Sequence, residues 1–370
     1  MKALFSAGFR PFFLAAGLTA AGLVPAWLAV LSGHLPAPGY YGPLYWHSHE
    51  MVFGFGTAML AGFLLTAVPN WTGARPLQGW PLVLLVAAWG AARLGPFFGS
   101  GIALAVVDLA FLPMLGVAVA LPVVRQGNPR TLIFLPILAA LWLCDLGLHL
   151  ELSGLTTAGG LVAVRAGVGL FVLLIAIIGG RVIPFFTRAA LPQAPVKSWP
   201  LVEGVALATA ALVPVLQVYR PDPVLVVVWA ALAVAAHGAR LWGWWSRPVA
   251  RLPLLWVLFT GYLWLLVGIG LQGALAVQVV SPGAALHAFT AGAMGVVGLA
   301  IMARASLGHS GRALVPSRVI VLAFVLANGA ALARVGGWLN LAGALWTVTF
   351  LLFVAVYLPI WCSPRADGKA

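Results

Sequence analysis

Twelve apolar runs, joined by short connections rich in proline and glycine, cover almost the whole chain. They fall near residues 11–32, 48–69, 80–97, 100–122, 131–150, 160–184, 199–218, 223–243, 252–272, 283–305, 316–336 and 340–361. Each approaches the roughly 20 residues a helix needs to cross the hydrocarbon core of a bilayer. Lipid offers no partner for backbone N–H and C=O groups, so a spanning segment must bond its own backbone or close into a barrel. Stretches of strictly alternating polarity, the mark of a barrel, are missing. Charged residues make up 7% of the chain, against about 25% in a soluble domain. A soluble fold needs a wet outer surface, which this composition cannot supply. The sequence therefore predicts an all-α, polytopic membrane bundle of about twelve transmembrane helices. No connection is long or polar enough for a soluble domain, so residues 1–370 read as a single transmembrane domain embedded in a lipid bilayer.

The net charge of +13 invites a nucleic-acid reading, but the basic residues are scattered between apolar runs with no basic patch. Topology explains them better. With the N-terminus in the cytoplasm, sixteen Lys and Arg fall on inner segments and only Arg93, Arg220 and Arg334 on outer ones, with Arg165 inside the sixth run. Cytoplasmic loops collect such an excess of Lys and Arg. Both termini are accordingly expected in the cytoplasm, and the basic, uncleaved start Met1–Arg10 leads into the first helix.

This orientation brings several histidines to one level. His47 and His49 open the second span at the outer face, His149 closes the fifth, and His287 opens the tenth. Glu50 follows His49 directly. Ionisable groups at a membrane boundary are costly unless something binds them, and neutral imidazole suits iron, copper and zinc. His47, His49, His149 and His287 are thus candidate metal and cofactor ligands. Solvated interfacial histidines and a proton relay are the other readings. On a helix of about 3.6 residues per turn, His47 and His49 point about 200° apart, so they do not easily share one ion.

Glu50 could pair with Arg10 or serve as a proton donor. Asp145 and His149 stand four apart and can share a helix face. Asp108 is the third carboxylate within a span. In Gly179–Arg188, GGRVIPFFTR, the glycine pair and Pro184 are expected to loosen the end of the sixth helix beside Arg181. In Met302–Arg312, MARASLGHSGR, His309 and two arginines among glycines could hold an anion such as a haem propionate. The second and tenth runs look alike: His49 lies 24 residues before Gly73, and His287 lies 24 residues before Gly311. Both carry small residues, such as Gly54 and Gly62 or Gly292 and Gly295, that let a helix or a flat macrocycle approach. Neither Cys144 nor Cys362 forms a metal-binding spacing. Hydrolase, nucleotide-binding and c-type haem motifs are missing.

Four stretches, taken in order and at their spacing, carry a resemblance over nearly the full length. They are GFRPFFL (Gly8–Leu14), WHSHEMVFGFGTAMLAGFLLTAVPNWTG (Trp46–Gly73), GGRVIPFFT (Gly179–Thr187) and HAFTAGAMGVVGLAIMARASLGHSGR (His287–Arg312). The chain resembles the NnrS family of haem- and copper-containing bacterial inner-membrane proteins of the nitric-oxide response. The resemblance implies a multi-pass inner-membrane protein with haem b and copper that binds nitric oxide and relieves nitrosative stress. Reduction of nitric oxide by a reductase-type oxidoreductase, fed by quinol or a periplasmic electron donor, fits the same membership. A non-catalytic nitric-oxide-binding protein and a twelve-helix secondary transporter are the alternatives. The resemblance assigns no ligands; the histidine set, with Arg181 and His309 as further cofactor-binding candidates and Glu50 as catalytic proton donor, rests on position.

Overall fold

The computed structural model describes residues 3–99, 101–219 and 221–368. Lys2, Arg220 and Lys369, which enter the charge count, lie outside them. Among the described residues, twelve helices are long and apolar enough to cross a membrane. They are α1 (Phe9–Leu31), α2 (Gly42–Thr72), α3 (Trp80–Phe97), α4 (Ile102–Gln126), α5 (Phe134–Leu152), α6 (Gly160–Ala190), α7 (Pro200–Val218), α8 (Pro223–Trp244), α9 (Pro253–Ala276), α10 (Pro282–Gly308), α11 (Arg318–Val335) and α12 (Leu339–Cys362). The expected all-α membrane architecture is therefore present, and the chain is a multi-pass membrane protein.

Local chemistry sets many of the ends. Proline opens α7, α8, α9 and α10, where its missing N–H would have no intrahelical partner anyway. Asp222 caps α8 by accepting from the Val224 N–H at 2.7 Å, and Ser281 caps α10 through the Ala284 N–H at 3.2 Å. Gly73 and Gly127, at φ 70° and 67°, close α2 and α4 in the left-handed conformation that a side chain would resist.

Two helices change register internally. In α2 an α-helical start through His49 passes into a π-helical stretch, Glu50–Gly56, before α-helix resumes at Thr57. In α10 the π-helical stretch is Ala288–Met294, directly after His287. Such insertions are rare and are frequent at functional sites.

The chain divides into two compact units. The first comprises Met1–Gly167, Ala305–Ala313 and Phe350–Ala370; the second comprises Val168–Arg304 and Leu314–Thr349. In the first, α1 packs on α2 through Gly62, where an added Cβ would come within 2.5 Å of the Phe13 ring. Arg10, buried in α1, donates to the carbonyls of Trp361 and Ser363 at 2.8 and 2.6 Å, so it caps the end of α12 and does not meet Glu50. In the second unit, Gly292 and Gly295 of α10 receive the indoles of Trp264 and Trp346. The small-residue faces singled out in the second and tenth runs are thus filled at these positions by aromatic side chains.

The sixth helix runs on to Ala190, beyond the expected loosening at Gly179–Arg188. Thr187 returns its hydroxyl to the Ile183 carbonyl at 2.8 Å. Gly180 meets a different need, because a Cβ there would stand 1.7 Å from Nη2 of Arg240.

Candidate metal centre

His49, the last residue of α2 before its π-helical stretch, is fully buried. Its Nε2 lies 2.9 Å from Oδ2 of Asp108 on α4 and 3.1 Å from Oδ1 of Asp145 on α5. His149, one turn beyond Asp145, brings its Nε2 to 3.4 Å from Asp108 Oδ2 and 3.6 Å from Asp145 Oδ1. One donor atom from each of the four buried side chains falls within 4.8 Å of all the others. Donors placed tetrahedrally about 2.0–2.2 Å from one ion stand about 3.3–3.6 Å apart. The four atoms already approximate that spacing.

Each of three ligands is fixed from its far side. His49 Nδ1 meets Glu50 Oε1 at 3.0 Å, and His149 Nδ1 meets the Tyr40 hydroxyl at 2.9 Å. Asp108 receives Arg93 Nη2 on Oδ1 at 2.6 Å and the Tyr41 hydroxyl on Oδ2 at 2.9 Å. Outer partners of this kind hold a metal-ligating ring in one tautomer and one orientation. Burial pushes the Tyr40 and Tyr41 phenols above their ordinary pKa, so both stay protonated; Tyr41 donates to Asp108, and the Tyr40 oxygen accepts from His149 Nδ1 when Nε2 serves as the ligand atom.

The π-helical stretch of α2 supports the same group. Its Phe53 carbonyl accepts Arg93 Nη1 at 2.9 Å, and its Gly54 carbonyl accepts the Trp89 indole N–H at 3.1 Å. Arg93 also meets Glu50 Oε2 at 2.8 Å. Gly54 keeps room for this, since a Cβ would come within 3.2 Å of Arg93 Cδ and 2.9 Å of Glu50 Oε2.

Charge counting completes the picture. Glu50, Asp108 and Asp145 share one guanidinium, Arg93, which leaves a formal excess of two negative charges if both imidazoles are neutral. A divalent cation offsets that excess, as would protonation of both histidines. His149 Nε2 is buried and makes no hydrogen bond of good geometry, yet it faces the two aspartates at 3.4 and 3.6 Å, a position from which it can ligate an ion between them.

Of the residues nominated from sequence, His49 and His149 enter this group, with Glu50 beside it. His47 leaves it: its ring stacks on Trp27 at 3.9 Å and 17°, as two residues of helical rotation require. His287 belongs to the second unit, where its Nδ1 meets the Gly283 carbonyl at 2.8 Å. Arg181 lies in that unit too, on α6. His309 follows α10, in a stretch belonging to the first unit, with its ring 5.8 Å from that of Phe9. Arg93, Tyr40 and Tyr41 escaped the sequence reading. The available signal was Arg93 and Asp108 themselves, opposite charges near facing ends of consecutive spans.

Four donor atoms so close together leave no room for a macrocycle among them, so a haem does not fit at this group. A single first-row ion fits, because two imidazoles and two carboxylates suit copper, iron, zinc or manganese. No curated protein matches the chain. The family model described as NnrS protein matches residues 3–365, nearly the whole length, and the chain belongs to the NnrS family.

Proposed function

We propose that this protein resides in the bacterial inner membrane, holds a divalent ion on His49, Asp108, Asp145 and His149, and binds and reduces nitric oxide. Copper is the ion, following the family resemblance. The observation that carries the reading is the convergence of four buried donors, three of them steadied by Glu50, Tyr40, Tyr41 and Arg93. A haem b would be held elsewhere, by His287, whose Nδ1 is engaged by a backbone carbonyl and whose Nε2 could then bind iron, the arrangement common to metal-bound histidines.

Nitric oxide is small and apolar and reaches a membrane-embedded centre through lipid without a dedicated pore. A bound copper ion supplies Lewis-acid polarisation and one-electron chemistry. The chain's own residues arrange the rest. Glu50 accepts from His49 Nδ1 and from Arg93, so it fixes the ligand ring. The same carboxylate is the proposed proton relay for reduction, taking up each proton before it donates it. Joining two molecules of nitric oxide into nitrous oxide and water consumes two electrons and two protons, and quinol or a periplasmic carrier is the proposed electron source. The alternative of trapping without turnover differs only in that last step.

The test is metal analysis with an optical spectrum of the purified protein. His49→Ala and His149→Ala should each lose the bound metal and leave the haem absorbance. His287→Ala should lose the Soret band and keep the metal. Unchanged metal content in both of the first two variants rejects the centre. An anaerobic nitrous-oxide assay with a reductant, on wild type and Glu50→Gln, separates reduction from trapping.

A further inference from the structure

The last turns of α2 and α4, with the connection into α3, enclose an open groove of about 730 Å³ in the first unit. That volume lies in the range of roughly 300–1,000 Å³ typical of ligand-holding clefts. Its wall is apolar, built from Leu64, Leu65, Val68 and Val119. Arg75 and Arg125 line it as well, and both are exposed. Gln126 donates to the Trp71 carbonyl at 2.6 Å and ties the two helix ends together beside it.

Among the described residues, no carboxylate pairs with either arginine. The chain holds seven Asp and Glu in all. Glu50, Asp108 and Asp145 belong to the metal centre; Glu151 accepts from Tyr45 and the Gly160 N–H; Glu203 pairs with Arg240. Asp222 caps α8, and Asp367 pairs with Arg365. Every carboxylate side chain is therefore engaged, and none with Arg75 or Arg125. An apolar wall continuous with two uncompensated guanidinium groups at helix ends matches an amphiphile with an anionic head.

We propose that this groove binds an anionic phospholipid, its phosphate held by Arg75 and Arg125 and an acyl chain laid along Leu64, Leu65 and Val68. Basic pockets between transmembrane helices recognise such headgroups, and guanidinium matches phosphate oxygens in a bidentate fork. The charge bias of the sequence puts this end of α2 and α4 toward the cytoplasm, where anionic lipids are enriched.

The experiment is native mass spectrometry of the full-length detergent-purified protein titrated with phosphatidylglycerol or phosphatidylcholine. Wild type, Arg75→Gln, Arg125→Gln, the double variant and, as a control from the second unit, Arg318→Gln are compared. The expected result is a preference for phosphatidylglycerol that falls about five-fold with each groove arginine and is unchanged in Arg318→Gln. Because both groove side chains are exposed, the variants should fold, and thermal unfolding with and without each lipid provides an independent readout. Equal binding of the two lipids, or a double variant that keeps the wild-type preference, overturns the proposal. So does co-purification of a quinone whose occupancy, in place of phospholipid, responds to these substitutions.

Discussion

His49 Nε2 stands 2.9 Å from Asp108 Oδ2, and each residue is held from behind by a partner of its own, Glu50 for the imidazole and Arg93 for the carboxylate. The pair joins α2 to α4 in the interior of an apolar bundle. Groups so arranged can serve an ion, whose ligands must be deprotonated, or can store protons. The first experiments should distinguish these uses.

If the group binds metal, protons compete for His49 and His149. Affinity should therefore decline as pH falls, because the rings bind metal only when deprotonated. The limit is about tenfold per pH unit for each proton displaced. Titration of the demetallated protein with copper at pH 7.5, 6.5 and 5.5 measures the slope. An affinity indifferent to pH would contradict ligation by these rings.

Arg93 is the only guanidinium among the described residues that meets Glu50 and Asp108. Arg93→Met should destabilise the protein by about 3–5 kcal/mol, because it leaves buried carboxylates uncompensated. A second change, Asp108→Asn, should recover part of that loss by removing one of the stranded charges. Thermal unfolding of the single and double variants in detergent reads the coupling. Losses that simply add would show that the two side chains act independently.

Much of this was legible in the sequence, for definite reasons. In lipid the backbone has few options, so apolar runs of helical length mark helices directly. The parting of His47 and His49 follows from about 100° of rotation per residue. The i, i+4 spacing likewise foretells that Asp145 and His149 share a face. Arg93 and Asp108 were harder, because their pairing crosses helices and no period within one helix encodes it. The π-helical stretch after His49 leaves no compositional mark, so the turn that offers the Phe53 and Gly54 carbonyls to Arg93 and Trp89 could not be anticipated. Nor does the run that opens near His287 reveal which unit that histidine joins.

Gly180 shows what a glycine pair in a helix can be for. A Cβ at this position would collide with Arg240, which is buried and bonded to Glu203, the Ala176 carbonyl and the Tyr262 hydroxyl. Gly180→Ala should cost on the order of 1–3 kcal/mol, the usual range for overpacking, although alanine is the better helix former. Gly204→Ala on α7, where an added Cβ meets nothing within 4 Å, is the matched control. A Gly180 variant as stable as that control would show that Arg240 can move aside freely.

His309 lies after α10, and burial, then the Arg365 guanidinium, hold its pKa below the ordinary imidazole value. The Arg365 side chain donates to the His309 carbonyl at 3.0 Å, and the Phe9 ring covers the imidazole. A depressed pKa in the folded state means the unfolded chain takes up this proton first. Above pH about 7 the ring is neutral in both states and contributes no pH dependence. As pH falls through about 6.5 the unfolded state is protonated alone, and stability drops until the folded-state pKa is passed. His309→Gln removes this contribution while keeping a polar side chain of similar reach. The melting temperature of wild type should therefore fall more than that of the variant between pH 7.5 and 5.5, and the two curves should run parallel above pH 7.5. Parallel curves across the whole range would mean that the ring gains a proton as readily folded as unfolded.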